Sequence, residues 1–351
     1  MASHVVREPV AIIGVGEADV AKGRMRSSLE YTAEAALRAL EDAGIHPGEI
    51  DGLLTTSPMT EHHHMYSTVV GEYLGLRTRY NASVQLGGAT PHANLIHAAA
   101  LIQSGYCQTV LITDSDSRAS LLQGDRAQGM AGLTSRQVLG QYEELYGPIT
   151  PAYYALAAQR HMYEYGTTRA QLAEIAVACR KHAALHPRAQ KRTPITVEDV
   201  LESPPVATPL HRLDCCLVSD WGEALIVTSQ KRAEELRQAG AAKPVYLIGM
   251  GQAHQAYHMT QAPELTHFTV RESADAAFAM AGIGRDEVDF AQIYDSFTIT
   301  ALIGIEGLGF CAPGEGGAFV GNGAIQLGGR LPVNTHGGCL SYSGGHAHFI
   351  I

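Results

Sequence analysis

The sequence predicts an α/β chain built on a duplicated unit, and three observations carry that prediction. Apolar strand-like runs alternate with amphipathic helical stretches from residue 10 to residue 115, the pattern of sheet and helix layers packed together. VAIIGVGEA at 10–18 returns as VYLIGMGQA at 245–253. AGIHPGEID at 43–51 returns as AGIGRDEVD at 281–289, so both matches keep one order at offsets of 235 and 238 residues.

The elements follow in order. VAIIGVGEA is an apolar strand ending in glycines. A helix over 27–44 comes next, with Leu29, Ala33, Ala36, Leu37 and Leu40 at helical spacing, Ser27 and Glu30 as a capping box and Gly44 as its C-cap. DGLLTTS gives a second strand, and a helix is expected near 67–75. NASVQLGGATPHANLIHAAALIQSG at 81–105 reads as a short strand, a glycine-rich elbow at Gly87-Gly88 and a helix, and TVLITDS as the next strand. Helices are expected over 151–166 and 169–186, with Pro204, Pro205 and Pro209 making the following stretch irregular. WGEALIVTS re-enters the first unit. These limits give a first half over 1–115 completed by 216–240, an inserted loop domain over 116–215, and a second half over 241–351.

Composition removes whole classes of function. The 351 residues carry a formal charge of −10 without a basic stripe, which argues against nucleic acid, because phosphate binding needs clustered Lys and Arg. Apolar runs such as ALIVT fall far short of the ~20 residues of a membrane span. The six cysteines, at 107, 179, 215, 216, 311 and 339, show no CxxC pair, and MASHVVREPV lacks the apolar core of a signal peptide, so a reducing cytoplasm is expected.

Several motifs have plain structural explanations. GVGEAD lacks the third glycine of a dinucleotide loop, Asp19 standing there, and reads as a tight strand exit. EHHHMY at 61–66 and GHAH at 345–348 are polar loops; no metal is expected, since a metal needs three or four converging ligands. Cys339, in NTHGGCLSY, sits beside other reactive side chains, yet packing is its expected role. Tyr294 stands apart. The repeat aligns DFAQI with GLLT of the first half, which puts this phenol, followed by Asp295, Ser296 and Phe297, at the carboxyl end of a strand, where open α/β sheets build their sites. It is a candidate acid or base. LPVNTHGGCLSYSGGHAH at 331–348 brings His336, Gly337, Gly338, Tyr342 and His346 into one loop, where glycines let a ligand approach free backbone N–H groups.

Taken together, these residues resemble the thiolase superfamily, in its lipid-transfer branch related to the thiolase part of sterol carrier protein X. The resemblance spans essentially the whole chain: the duplicated halves, the elbow 17 residues before Gly105, YDSF where that branch has His-Asp-Cys-Phe, and NTHGGCLS where it has an Asn-x-x-Gly-Gly loop. It implies a duplicated thiolase fold, a five-layered α-β-α-β-α sandwich, normally dimeric. The departures from the family direct the chemistry. The acyl-accepting cysteine falls on Gly88, the motif His or Asn on Tyr294, and the loop that normally continues Gly-His-Pro reads Ser343-Gly344-Gly345-His346. The chain also stops at HFII, before the family's final strands.

The sequence is similar in these respects to the cysteine-less steroid side-chain aldolases, which carry tyrosines at the positions matching Tyr294 and Tyr342. That similarity implies an acyl-CoA lyase cleaving a β-hydroxyacyl-CoA by retro-aldol chemistry, with a small zinc-ribbon/OB-fold partner that helps hold the acyl-CoA. CoA is then part of the substrate, and no cofactor is expected. Retro-aldol cleavage needs a base for the hydroxyl proton, a polarised thioester carbonyl and an acid for the enolate carbon, so it proceeds without a cysteine. Tyr294 and Tyr342 are expected to share the proton transfers. Backbone N–H groups at Gly87, Gly88, Gly337 and Gly338, with His336 and His346, are expected to receive charge and substrate. The alternatives are a thiolase-type acyl transfer using Cys339 or a partner's thiol, and a degenerate thiolase that only binds acyl-CoA or scaffolds a partner.

Overall fold

The computed structural model describes residues 8–19, 26–122, 143, 150–241 and 243–351. These fall into two compact units. The first runs to Leu121 and adds Ser219–Ile248 and Gly345–Ile351; the second holds Leu122–Val218 and Gly249–Gly344. The last seven residues thus pack with the first half of the chain.

The first unit is a six-stranded sheet of β1 (Val10–Glu17), β2 (Gly52–Thr56), β3 (Tyr80–Val84), β4 (Thr109–Ser117), β7 (Asp220–Ser229) and β8 (Val245–Leu247), in the order β3-β2-β4-β7-β1-β8. β2 runs parallel to both of its neighbours, whereas β7 runs antiparallel to β4 and β1. The re-entry expected at WGEALIVTS is therefore the strand that joins β4 to β1. Helices α1 (Ser28–Ala43), α2 (Tyr66–Tyr73) and α3 (Thr90–Gln103) complete the alternation.

α1 begins and ends as its sequence dictates. Ser27 Oγ accepts the Glu30 N–H at 3.2 Å, the Glu30 carboxylate accepts the Ser27 N–H at 2.8 Å, and Gly44 closes the helix at φ +65°. Its buried face differs from the expected stripe. Tyr31, Thr32, Ala35, Ala36, Ala39, Leu40 and Ala43 face the core, while Leu37 is 59% exposed. The cause is close approach: a Cβ on Gly14 would lie 2.3 Å from the Ala39 carbonyl oxygen, and one on Gly16 2.1 Å from that of Ala35. The helix docks through its alanines onto glycines, so the GVG motif serves helix–strand packing. Gly16→Ala is expected to lower stability by about 1–3 kcal/mol through overpacking, read as a fall in the urea midpoint at unchanged slope.

The same device recurs at the repeat offsets in the second unit. A Cβ on Gly249 would lie 2.2 Å from the Ala277 carbonyl oxygen, and one on Gly251 1.8 Å from that of Ser273. Duplication is thus visible as packing, in addition to sequence. The helix concerned, Val270–Ala281, ends at Gly282 with φ +70°, as α1 ends at Gly44.

Around it the second unit is mainly helical. Thr150–Tyr165, Arg169–Leu185 and Thr298–Leu308 enclose a core that includes Leu172, Ile175, Phe297, Ile299 and Leu302. The irregular proline stretch folds back on itself through the short pair β5 (Pro205–Ala207) and β6 (Leu210–His211). The strand expected at DFAQI is reduced to a single parallel bridge between Ala291 and Val333, because among the described residues only the 332–334 segment lies beside it. No helix of the described residues is long and apolar enough to cross a membrane.

Candidate active site

In the second unit, two clamps tie Tyr294 to the glycine loop. Asn334, fully buried at φ +54°, accepts the Ile293 N–H on Oδ1 at 2.7 Å and donates Nδ2 to the Ile293 carbonyl at 2.8 Å. Immediately after Tyr294, the buried Asp295 carboxyl accepts the N–H of Cys339 at 2.6 Å and that of Leu340 at 3.4 Å, and Cys179 Sγ donates to it at 3.4 Å. The backbone on both sides of Tyr294 is therefore fastened to the segment that carries Tyr342. Gly338 is required there: its φ is +62°, and a Cβ would fall 2.0 Å from Asp295 Oδ2. Burial raises the Asp295 carboxyl to about 7 despite these donors.

Tyr342 is held from three sides. Its N–H donates to Gly338 O at 2.8 Å, its carbonyl accepts the Gln190 N–H at 3.1 Å, and its ring meets His336 and His186 edge-on at centroid distances of 5.1 and 4.8 Å. Gly337, at φ +117°, packs against Ala183, where a Cβ would come within 2.6 Å of that methyl. Arg180 supports the loop by donating Nε to Ser341 Oγ at 2.9 Å. Tyr294 thus lies on a segment fastened to the loop that carries His336, Gly337, Gly338 and Tyr342. His186 and Asn334 join them without having been singled out. Cys339 is only 2% exposed, its N–H committed to Asp295, which disfavours it as an acyl acceptor.

The remaining predicted residues, Gly87, Gly88 and His346, lie in the first unit. The elbow is a turn built on Thr90, whose Oγ1 accepts the Leu86 N–H at 2.8 Å and donates to Gly87 O at 2.7 Å. Gly87 adopts φ +58°. α3 starts directly after this turn, with His92 on its first turn. Solvent reaches His92, yet poorly solvated surroundings and then the His346 imidazole hold it down to about 4. A neutral imidazole suits a helix N-terminus, where the dipole opposes positive charge. His346 sits against Asp114, Nδ1 to Oδ2 3.4 Å, and beside the Trp221 ring at 5.3 Å.

Residues 251–349 match the family model described as thiolase C-terminal domain-like. The chain is 34% identical over 339 residues to a steroid side-chain-cleaving aldolase of Thermomonospora curvata, covering 94% of this chain and 85% of that protein. It is 35% identical to the 17-hydroxy-3-oxo-4-pregnene-20-carboxyl-CoA lyase of Mycobacterium tuberculosis, covering 94% and 86%. Among solved structures, the Ltp2-ChsH2(DUF35) aldolase is 32% identical with a TM-score of 0.81, covering 97% of this chain and 87% of that one.

Proposed function

The chain belongs to the thiolase superfamily and has its fold, and we propose that it is an acyl-CoA lyase, cleaving a β-hydroxyacyl-CoA, with a steroid side chain as the substrate class, to a ketone and a shortened acyl-CoA. The observation that carries this reading is the clamping together of two phenol-bearing segments of the second unit by Asn334 and Asp295. The two relatives named as an aldolase and a lyase support it.

A base removes the β-hydroxyl proton, the bond between the carbinol carbon and the α-carbon breaks, and its electron pair passes to the thioester as an enolate. A proton then returns to the α-carbon. No bond to the enzyme forms, so Gly88 in place of a nucleophile is no obstacle. We assign the two proton transfers to Tyr294 and Tyr342. In the second unit, His336 and the Gly337-Gly338 backbone are assigned to substrate and charge. In the first unit, the same task falls to the Gly87-Gly88 turn and His346. CoA enters as part of the substrate, and no cofactor or metal takes part in the scheme.

A small acyl-CoA-binding partner of zinc-ribbon/OB-fold type belongs to the same reading, supported by the two-component name of the solved aldolase. So does a homodimer: among the described residues β3 has a neighbour on one side only, and it is partly exposed along its length, an edge that a second copy could pair with. All six cysteines are free thiols, which suits a reducing cytoplasm.

The test is product analysis. Purified chain, with and without the partner, is incubated with a panel of β-hydroxyacyl-CoAs and the mixture read by mass spectrometry. A ketone with a matching shortened acyl-CoA is expected. Intact substrate across the panel, or an acyl group trapped on Cys339, would overturn the assignment.

A further inference from the structure

Three carboxyl groups lie in one row across adjacent strands of the first unit. Strand register sets Glu17 of β1 opposite Glu223 of β7, and Glu223 opposite Asp114 of β4. Directly opposed residues have Cβ atoms about 4.5–5.5 Å apart. Asp114 and Glu223 are 1% and 2% exposed, so two full negative charges side by side there are strongly disfavoured.

The segment 345–348 closes over this row. Glu223 Oε2 accepts the N–H groups of His346 at 3.1 Å, Ala347 at 2.6 Å and His348 at 3.1 Å, and Oε1 lies 3.1 Å from His348 Nδ1. Gly345 is fixed by the same carboxyl, since a Cβ would fall 2.2 Å from Oε1. Beside it, Asp114 meets His346 Nδ1. Among the described residues, His92 of α3, Tyr66 of α2 and Arg118, just beyond β4, also act on the cluster.

We propose that Asp114 and Glu223 are positioning residues for His346: Asp114 is the charged partner of its imidazole, and Glu223 is a neutral carboxylic acid that locks the backbone of 346–348. The three N–H donors on Oε2 favour the charged form, but the crowding of three carboxyls in one buried row outweighs them, and the His348 contact accommodates the neutral acid. Oε2, taking three N–H donors, is the carbonyl oxygen, and Oε1–H donates to His348 Nδ1. Burial, then Asp114 and Glu17, push Glu223 well above the usual carboxylate range. Burial above all, joined by His346 and His92 and opposed by Glu17 and Asp114, holds His348 down near 3, so its ring is neutral and able to accept. At Asp114, burial works against charge, but His346 and Arg118 outweigh it and keep the carboxyl below its ordinary value. The purpose of this arrangement rests on the lyase reading above, in which an oriented imidazole takes part in handling the substrate.

The test uses the full chain and has readouts apart from activity. Infrared spectra of wild type minus Glu223→Gln are expected to show a protonated-carboxyl band in the wild type only. Nitrogen NMR of labelled histidine, with the His346 signal assigned through His346→Gln, is expected to show Nδ1 protonated, and the balance between its two nitrogens is expected to change in Asp114→Asn. Asp114→Asn is expected to lose about 10²-fold in kcat with a small change in KM and a displaced pH profile. Glu223→Ala is expected to lose a similar factor, and Glu223→Gln to recover at least about tenfold of it. Absence of the carboxyl band in the wild type overturns the role of Glu223. An unprotonated His346 Nδ1 in the wild type overturns that of Asp114, and this reading stands even if Asp114→Asn does not fold. If both spectra come out as expected while no thioester of the panel is cleaved, the lyase reading fails and the positioning of His346 holds.

Discussion

Tyr294→Phe and Tyr342→Phe are each expected to lower kcat for β-hydroxyacyl-CoA cleavage by about 10²–10⁴-fold, with KM changed little, because each removes a proton-transfer group and leaves the ring in place. The double variant is expected to fall little below the worse single one, since residues acting on one proton sequence are not additive. Folding is expected to survive: at Tyr342 the contacts with His336 and His186 are ring contacts, which phenylalanine keeps. A phenol has an ordinary pKa of about 10, so one that acts as a base at neutral pH depends on donors or cations beside it. The two imidazoles against Tyr342 are the candidates, and His186→Gln or His336→Gln should move the pH profile of kcat while leaving the unfolding free energy from urea titration within about 1 kcal/mol of wild type. Single-turnover product formation by mass spectrometry checks the series. Cleavage at wild-type rate in both tyrosine variants would remove the tyrosines from the mechanism and with them the physical basis of the proposed reaction.

How much of this could be read in the chain depends on the range of the interaction concerned. The caps of α1 are set by residues three or four positions apart, so Ser27, Glu30 and Gly44 announce them. Repeat matching went further: it located Tyr294, and it aligned Gly249 and Gly251 with Gly14 and Gly16, whose packing the structure then shows to be repeated. Other features depend on strand register and leave no local trace. TDSDS at the end of β4 is polar in sequence yet wholly buried: β2 pairs with it only as far as Thr113, and beyond that it pairs with the Asp220–Glu223 end of β7. The pairing of Asp114 with Glu223 bridges the insertion, so neither residue stood out. His186 ends a helix far from the glycine loop in sequence and reaches Tyr342 only through folding. His92 lies one turn beyond Gly88, and attention to the face of α3 nearest the elbow would have found it. The strand expected at DFAQI failed for the converse reason: local apolar character supplies a strand's tendency, but its pairing comes from neighbours.

A second large effect is expected at Asp295, in stability. Its ordinary value of 3.8 rises to about 7 in the folded chain, chiefly through burial. Between those two values the folded protein holds a proton that the unfolded chain has released, so this carboxyl's contribution is complete below about pH 4 and is lost as pH rises through about 7. The loss is on the order of 4 kcal/mol. His348, held near 3, acts in the opposite direction: the unfolded chain protonates it first, and its contribution grows as pH rises toward about 6.5. The whole-protein profile is therefore flattened, and Asp295 must be isolated by difference. Asp295→Asn keeps an oxygen for the Cys339 N–H and cannot titrate. Urea denaturation of wild type and variant at about pH 4 and about pH 8 should show the variant gaining on the wild type by several kcal/mol as pH rises. A pH-independent difference would mean that Asp295 is ionised throughout. The clamp on Cys339 and Leu340 would then be a carboxylate held by its N–H donors, with burial the lesser force on the loop that carries Tyr342.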